Sequence, residues 1–147
     1  MSEENVELIR RLIPPPGTDF AALFRDDDVF EQAVAALEQF IDPEVEAVAV
    51  WQGGTTHSGI DGFRRMWLDW LEPWATYHSE LGELIDAGGG KVLALVRDRG
   101  RRHDVDAEVE LQAGSVWEVR DGRIVRVQFC GNREEALRTA GLPGGGR

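Results

Sequence analysis

Apolar and polar residues alternate through the second half of the chain, and this period of two predicts antiparallel β-strands. The Asp-Gly pair at 121–122 separates two of these runs and is a strong hairpin signal, because a type I′ turn needs positive φ at both central residues. A tight turn there sets Trp117 opposite Arg126 as a predicted cation–π pair, and Ser115 opposite Gln128. We therefore predict a four-stranded meander at residues 77–86, 91–99, 105–120 and 123–130.

The first half of the chain instead repeats its apolar residues at helical spacing. Residues 14–17, three prolines and a glycine, end the first helix, because proline disfavours helix in the residue before it and lacks a backbone N–H. Residues 45–51 are typical of a strand, and the glycine-rich stretch 53–59 is predicted to be a loop. Asn132 followed by Glu135 has the pattern of a capping box that opens a last helix. The predicted helices cover residues 3–13, about 20–24, 26–40, 61–72 and 133–141.

The order of these elements predicts an α+β fold, in which helices lie before the meander and one short helix follows it. We expect the helices to pack on the concave face of a curved, mostly antiparallel sheet, so that the two layers form a cone around a ligand cavity. The length of 147 residues indicates a single domain spanning 1–147. Residues 143–147 are predicted to be a disordered tail.

Charge and composition exclude several classes of function. The net charge of −11 disfavours nucleic acid and anionic membrane surfaces as partners, since their phosphates would repel the chain. No run of 18 apolar residues occurs, and the polar, acidic start of the chain is unlike a signal peptide. A single cysteine, Cys130, cannot form an internal disulfide, so we expect a reducing, cytoplasmic setting.

The histidines give no metal motif. His57, His78 and His103 lie far apart, without the spacing of a zinc site, and the Gly88–Lys91 stretch lacks the rest of a Walker loop. We therefore predict a protein that uses no cofactor and no metal.

Four motifs, in order along the chain, resemble those of the SnoaL-like branch of the NTF2-like superfamily. They are the strand entry at 40–46 (FIDPEVE), the helix start at 59–64 (GIDGFR), the hairpin at 116–127 (VWEVRDGRIVRV) and the ending at 133–142 (REEALRTAGL). The resemblance covers roughly residues 40–142. The chain differs from the family pattern in a longer start at residues 12–30, in Ser115 where His or Gln is common, and in Asn132 where Asp is common.

The resemblance implies the cone-shaped fold, a homodimer through the outer sheet face, and an apolar pocket for a small hydrophobic ligand. It implies no single activity, because the superfamily includes polyketide cyclases, ketosteroid isomerases, epoxide hydrolases and non-catalytic binding domains. Its enzymes resemble one another in a buried carboxylate, or a carboxylate–arginine pair, beside a Tyr, His or Trp donor. An apolar cavity raises the pKa of such a carboxylate and allows it to act near neutral pH.

Asp98 and His57 are the candidate catalytic residues. Asp98 shares a predicted strand face with Val92, Ala94 and Val96, so it is an acid on an otherwise apolar face. The alternative is a carboxylate at a strand end paired with a surface arginine. His57 precedes the tryptophan-rich helix at a position that fits a cavity mouth; the alternative is an ordinary surface histidine in a loop.

The pocket wall is predicted from aromatic and neutral polar side chains. Part of the aromatic set is expected to be plain core and part to line the pocket, since Trp and Tyr carry a polar tip that seeks a partner. Ser115 and Gln128 are the neutral polar pair that could hydrogen-bond a ligand oxygen or each other. The predicted pocket residues are Trp51, Trp67, Trp70, Tyr77, Ser115, Trp117 and Gln128.

Two functions remain open from the sequence. One is a cofactor-free isomerase, cyclase or epoxide hydrolase acting by proton transfer on a small, hydrophobic, oxygenated molecule. The other is a non-catalytic small-ligand-binding or dimerisation domain. A buried carboxylate within hydrogen-bond reach of a donor would favour the enzyme.

Overall fold

The computed structural model describes residues 2–142, so the predicted tail at 143–147 lies outside the described residues. In chain order the elements are α1 (Ser2–Leu12), α2 (Phe20–Arg25), α3 (Asp27–Leu37), β1 (Ile41–Ala49), β2 (Thr55–Ser58), α4 (Gly59–Leu71), β3 (Trp74–Gly88), β4 (Lys91–Arg102), β5 (Glu108–Arg120), β6 (Arg123–Cys130) and α5 (Arg133–Thr139). Among these described residues, no helix is long and apolar enough to cross a bilayer.

The strands form one six-stranded sheet in the order β2-β1-β6-β5-β4-β3. Every neighbouring pair is antiparallel except β1 and β6, which run parallel. The predicted α+β class with a curved, mostly antiparallel sheet is confirmed, and the four-stranded meander is β3 to β6. The parallel pairing brings the first half of the chain beside the last strand, which closes the core.

The predicted loop at 53–59 is wrong in its middle, because Thr55–Ser58 forms the edge strand β2. Gly53 and Gly54 both take positive φ and turn the chain back, so that Thr55 lies opposite Ala49. The four residues then pair with β1, whose outer edge would otherwise expose its backbone groups. The glycines on both sides made this short strand resemble a loop.

The hairpin turn is confirmed, but the predicted pairing beyond it is wrong by one residue. Asp121 and Gly122 take φ of 53° and 76°, as a type I′ turn requires. A β-bulge then interrupts the ladder, since Val119 pairs with Ile124 whereas Glu118 pairs with Arg126.

The bulge changes which side chains share a face. Trp117 lies opposite Val127 and Ser115 opposite Phe129, so neither the Trp117–Arg126 pair nor a Ser115–Gln128 pair forms. Arg126 instead aligns with acidic residues on both neighbouring strands, and Gln128 moves to the other face of the sheet.

The two faces of β4 and β5 bury different partners. On one face, Val92 packs with α1, and the ring of Tyr77 packs with residues of α2 and α4. On the other face, Leu93, Leu95 and Val116 pack against α5. Helices α1 to α4 therefore cover one side of the sheet, and the short α5 covers the opposite side. The first side encloses open space.

Candidate functional site

A cavity of about 200 Å³ lies between the sheet and helices α1 to α4. Its volume is of the same order as that of the smallest typical ligand sites. Its wall is almost entirely apolar, and the polar side chains that reach it are few. Side chains that line it include Leu12, Phe20, Phe24, Phe63, Trp51, Trp67, Trp70, Tyr77, Trp117, Val127 and Phe129, and its hydroxyl and carboxyl groups come from Tyr77, Ser79, Asp98 and Ser115.

The aromatic wall is held by ring-to-ring packing. Trp67 on α4 stacks on Phe24 of α2 with centroids 5.3 Å apart and contacts Phe129 edge-on at 5.2 Å. Trp70 meets Trp51 at 5.1 Å and Tyr77 at 6.2 Å. Because these rings brace one another, they form a shaped wall instead of collapsing into the open space.

Asp98 is the buried acid of this cavity. Its side chain lies on β4 and the residue is 4% exposed. The Tyr77 hydroxyl donates a 2.5 Å hydrogen bond to Asp98 Oδ2, whereas Oδ1 is buried without a partner in the part of the chain that the structure describes. Strand pairing explains the contact, because Asp98 lies opposite Ser79, two residues from Tyr77 on the same face of β3.

Burial sets the acid–base character of this pair. It raises the pKa of the Asp98 carboxyl above its usual range, and the hydroxyls of Ser79 and Tyr77 offset part of that shift. It also raises the pKa of Tyr77, and the nearby Asp98 charge raises it further. Tyr77 therefore stays protonated and donates, and Asp98 is a stronger base than an exposed aspartate.

The start of helix α2 is bonded to the same site. Asp19 Oδ1 accepts from the backbone N–H of Ala21, which caps α2, and from the backbone N–H of Tyr77, each at 3.0 Å. Tyr77 lies on the edge strand β3, so Asp19 satisfies a donor that no neighbouring strand reaches. At the other end of α2, Arg25 donates to the carbonyls of Leu71 and Trp74 at 2.6 and 2.7 Å.

The predicted catalytic pair is separated in the structure. Asp98 borders the cavity, but His57 is not among the lining residues. It lies on β2, against Gly62 at the start of α4, and its Nε2 is buried without a hydrogen-bond partner among residues 2–142. The alternative of an arginine partner for Asp98 does not hold, since its bonded neighbour is Tyr77.

Of the seven predicted pocket residues, six border the cavity. Gln128 does not, because the bulge in β6 places it opposite Val116 on the α5 side of the sheet. The six that border it are Trp51, Trp67, Trp70, Tyr77, Ser115 and Trp117.

Sequence reasoning missed several lining residues. Ser79 could have been found, because it shares strand parity with Tyr77. Phe20 and Phe24 lie on the helix that the sequence did predict, but nothing in their spacing indicated that α2 covers the cavity. The predicted pairing of Ser115 with Gln128 would put Phe129 on the other face of the hairpin, and the bulge brings it inward.

Cys130 is a buried thiol on the α5 side of the sheet, where it packs with Leu93 and Val116. Burial raises its pKa to about 11, and the Thr139 hydroxyl lies 3.6 Å from its sulfur. A thiol with so high a pKa is a poor nucleophile near neutral pH. Over residues 2–142, no group of three or more His, Cys, Asp or Glu is arranged to hold a metal ion.

Comparison with known proteins identifies a family match and several similar folds. Residues 18–127 match the family model of the SnoaL-like domain. Among curated proteins, none matches the chain in sequence.

Three solved structures show the same fold. A candidate SnoaL-like polyketide cyclase from Jannaschia sp. CCS1 is 12% identical, with a TM-score of 0.65 over 87% of this chain and 85% of that one. TerC co-crystallised with polyporic acid is 20% identical, with a TM-score of 0.63 over 93% and 97%. An NTF2-like protein of unknown function from Burkholderia pseudomallei is 16% identical, with a TM-score of 0.62 over 92% and 95%. At these identities the likeness shows the fold alone.

Proposed function

Because this chain belongs to the SnoaL-like domain family, we propose that it is a cofactor-free enzyme that moves a proton on a small, hydrophobic, oxygen-bearing molecule bound in the cavity. The observation that carries the proposal is the buried Asp98 carboxylate beside the apolar cavity, with Tyr77 bonded to one oxygen and the other oxygen unpartnered among residues 2–142. This is the arrangement that distinguishes a proton-transfer site from a plain binding pocket.

In this proposal Asp98 Oδ1 is the base. It removes a proton from a carbon next to a carbonyl, or from a hydroxyl, while Tyr77 keeps its hydrogen bond to Oδ2. The proton then returns from Asp98 to a different atom of the substrate, as in an isomerisation or in a ring closure that proceeds through an enolate. The apolar wall favours this step, because it limits solvation of the carboxylate by water.

The structural likeness to TerC, which was crystallised with polyporic acid, supports an oxygenated organic ligand without defining it. A non-catalytic binding domain is the second candidate, favoured by the scarcity of titratable groups in the wall. The first experiment separates the two.

The test is exchange of the acidic α-protons of 2-tetralone for deuterium in D₂O, followed by NMR. We expect the wild-type protein to accelerate exchange. Asp98→Asn should exchange more slowly by a factor on the order of 10² to 10⁴, the usual contribution of a general base. The rate should rise with pH through the raised pKa of Asp98, since the carboxylate is the active form.

Asp106→Asn is the matched control, because Asp106 is an exposed acid paired with Arg101 at 2.7 Å and distant from the cavity. Exchange no faster with wild type than with Asp98→Asn would refute the enzyme. Binding of 2-tetralone without exchange would then support the binding domain.

We further propose a homodimer through the outer sheet face, and a cytoplasmic location suggested by the single free thiol. On that face, Glu80 lies opposite Arg97, and Arg99 opposite Glu110, so both charges are present for a two-fold interface. Sedimentation at micromolar concentration is the test, and a strict monomer would remove the dimer.

A further inference from the structure

A second polar group lies in the cavity, apart from Asp98. The Trp117 indole Nε1 donates a 2.7 Å hydrogen bond to Ser115 Oγ, and both residues border the cavity. Ser115 is 6% exposed, so water does not readily satisfy its hydroxyl. A serine hydroxyl has one proton to donate and two acceptor positions, whereas indole only donates. Trp117 therefore occupies an acceptor position and leaves the hydroxyl proton of Ser115 available.

Within residues 2–142 the Ser115 side chain makes one hydrogen bond, which it accepts from Trp117. Its hydroxyl proton therefore has no protein acceptor there. A buried donor that is left unpaired costs free energy, and a bound oxygen acceptor would recover it. The donor thus marks a place where the cavity favours an oxygen atom.

The strand register sets the distance between the two polar groups. Ser115 lies opposite Ala94 and Asp98 lies opposite Leu111, so four residues separate them along each strand. At 3.3 Å per residue this is about 13 Å along the sheet. Val96 and Ala113, which also border the cavity, fill the face between them with apolar atoms.

We propose that Ser115, oriented by Trp117, binds a neutral acceptor oxygen of the ligand, such as a carbonyl, at the end remote from Asp98. This inference rests on the proposed function, in which Asp98 takes a proton at the other end. The ligand class is then an elongated apolar molecule with an acidic C–H or O–H at one end and a carbonyl at the other. A carboxylate at the Ser115 end is disfavoured, because the apolar wall desolvates the charge and no Lys or Arg among residues 2–142 lines the cavity to pair it.

The test uses 4-acetyl-4′-hydroxybiphenyl and 4-ethyl-4′-hydroxybiphenyl, which share a phenol and differ in the carbonyl. Isothermal titration calorimetry should show wild type binding the acetyl compound about fivefold to tenfold more tightly, the ratio expected for one buried hydrogen bond. Ser115→Ala should abolish this preference and leave affinity for the ethyl compound within about twofold. The 4-carboxylate analogue should bind more weakly than either.

Ser79→Ala is the matched control, because it removes a hydroxyl from the Asp98 end and should preserve the acetyl-to-ethyl ratio. Ser115→Cys, close in size to the wild-type residue but a weak donor, repeats the test if the alanine variant folds poorly. Absence of a preference in wild type, its survival in both Ser115 variants, or binding of neither compound would overturn the inference. The ratio needs no catalysis, so its failure is distinct from a failure of 2-tetralone exchange in the Asp98 test.

Discussion

The two faces of strands β4 and β5 are made from alternate residues of the same segments, yet one face packs closely against α5 and the other encloses a cavity. On the α5 side, Gly114 lies so close to the helix that an added Cβ would come within 2.6 Å of the Ala136 Cβ. On the cavity side, the facing residues are large rings that contact one another first. Small residues allow close approach, whereas mutually braced rings hold the layers apart.

The same difference separates two buried ionisable groups, Cys130 and Asp98. Cys130 belongs to the densely packed cluster under α5, beside Leu93 and Val116, and burial keeps its thiol protonated. Asp98 borders open space, with one oxygen bonded to Tyr77 and the other without a hydrogen-bond partner in the described part of the chain. Burial alone therefore does not make a functional group. The group must also face room for a ligand.

The largest expected effect is on the packed face. Leu93→Ala should lower the free energy of unfolding by about 3 kcal/mol, because Leu93 is fully buried and its removal leaves a new void. Leu12→Ala is the matched control on the cavity wall and should cost about half as much, since that leucine already lacks neighbours on one side. Urea denaturation of both variants measures the difference, and equal losses would contradict the contrast between the faces.

A smaller loss is expected when the close approach of α5 is blocked. Gly114→Ala should destabilise the protein by about 2 kcal/mol, because the new methyl group overlaps the Ala136 side chain and the Ala94 carbonyl. Gly17→Ala is the control, since nothing lies within 4 Å of its added Cβ. Thermal melts should leave the control unchanged or slightly stabilised. A neutral Gly114 variant would show that α5 shifts freely.

Replacing the cavity acid should raise stability instead of lowering it. The folded pKa of Asp98 is raised, so its contribution to stability is fully present below the unfolded pKa and is lost as pH rises through the folded pKa. The amide oxygen of Asp98→Asn can still accept from Tyr77. The free energy of unfolding of this variant should therefore increase relative to wild type as pH rises from 4.

The gain is about 1.4 kcal/mol for each pH unit between the unfolded and folded pKa, and then levels off. Unfolding titrations of both proteins at pH 4 and pH 8 measure it. A difference that does not change with pH would mean that Asp98 is not desolvated.

The smallest effect separates two helix caps. Asp19→Ala and Asp26→Ala each remove an N-cap, of α2 and α3 respectively, and each should cost about 1 kcal/mol. Only Asp19 also bonds the Tyr77 backbone, so only its loss should loosen α2 over the cavity.

Stopped-flow binding of 4-acetyl-4′-hydroxybiphenyl should therefore show faster dissociation from Asp19→Ala than from Asp26→Ala. Equal dissociation rates would show that the hydrogen bond between Asp19 and Tyr77 does not hold helix α2 over the cavity.

The sequence determined the elements whose signals are local. The Asp121-Gly122 turn, the end of the first helix at its prolines and the Asn132 cap all appear as predicted, because each depends on the conformational preferences of a few adjacent residues. Strand parity likewise set Asp98 on the face of Val92 and Ala94, since alternation along a strand is a local property.

Only the tertiary structure decided which groups meet. A single extra residue in β6 moved Phe129 toward the cavity and Gln128 away from it, and no sequence pattern marked that bulge. The partner of Asp98 depended on how β3 aligns with β4. The position of helix α2 over the cavity depended on Asp19, which bonds Tyr77 58 residues further along the chain. Such contacts follow from the packing of distant segments. Local sequence patterns therefore determined the helices, strands and turns, whereas the contacts of the candidate site formed only when these elements packed together.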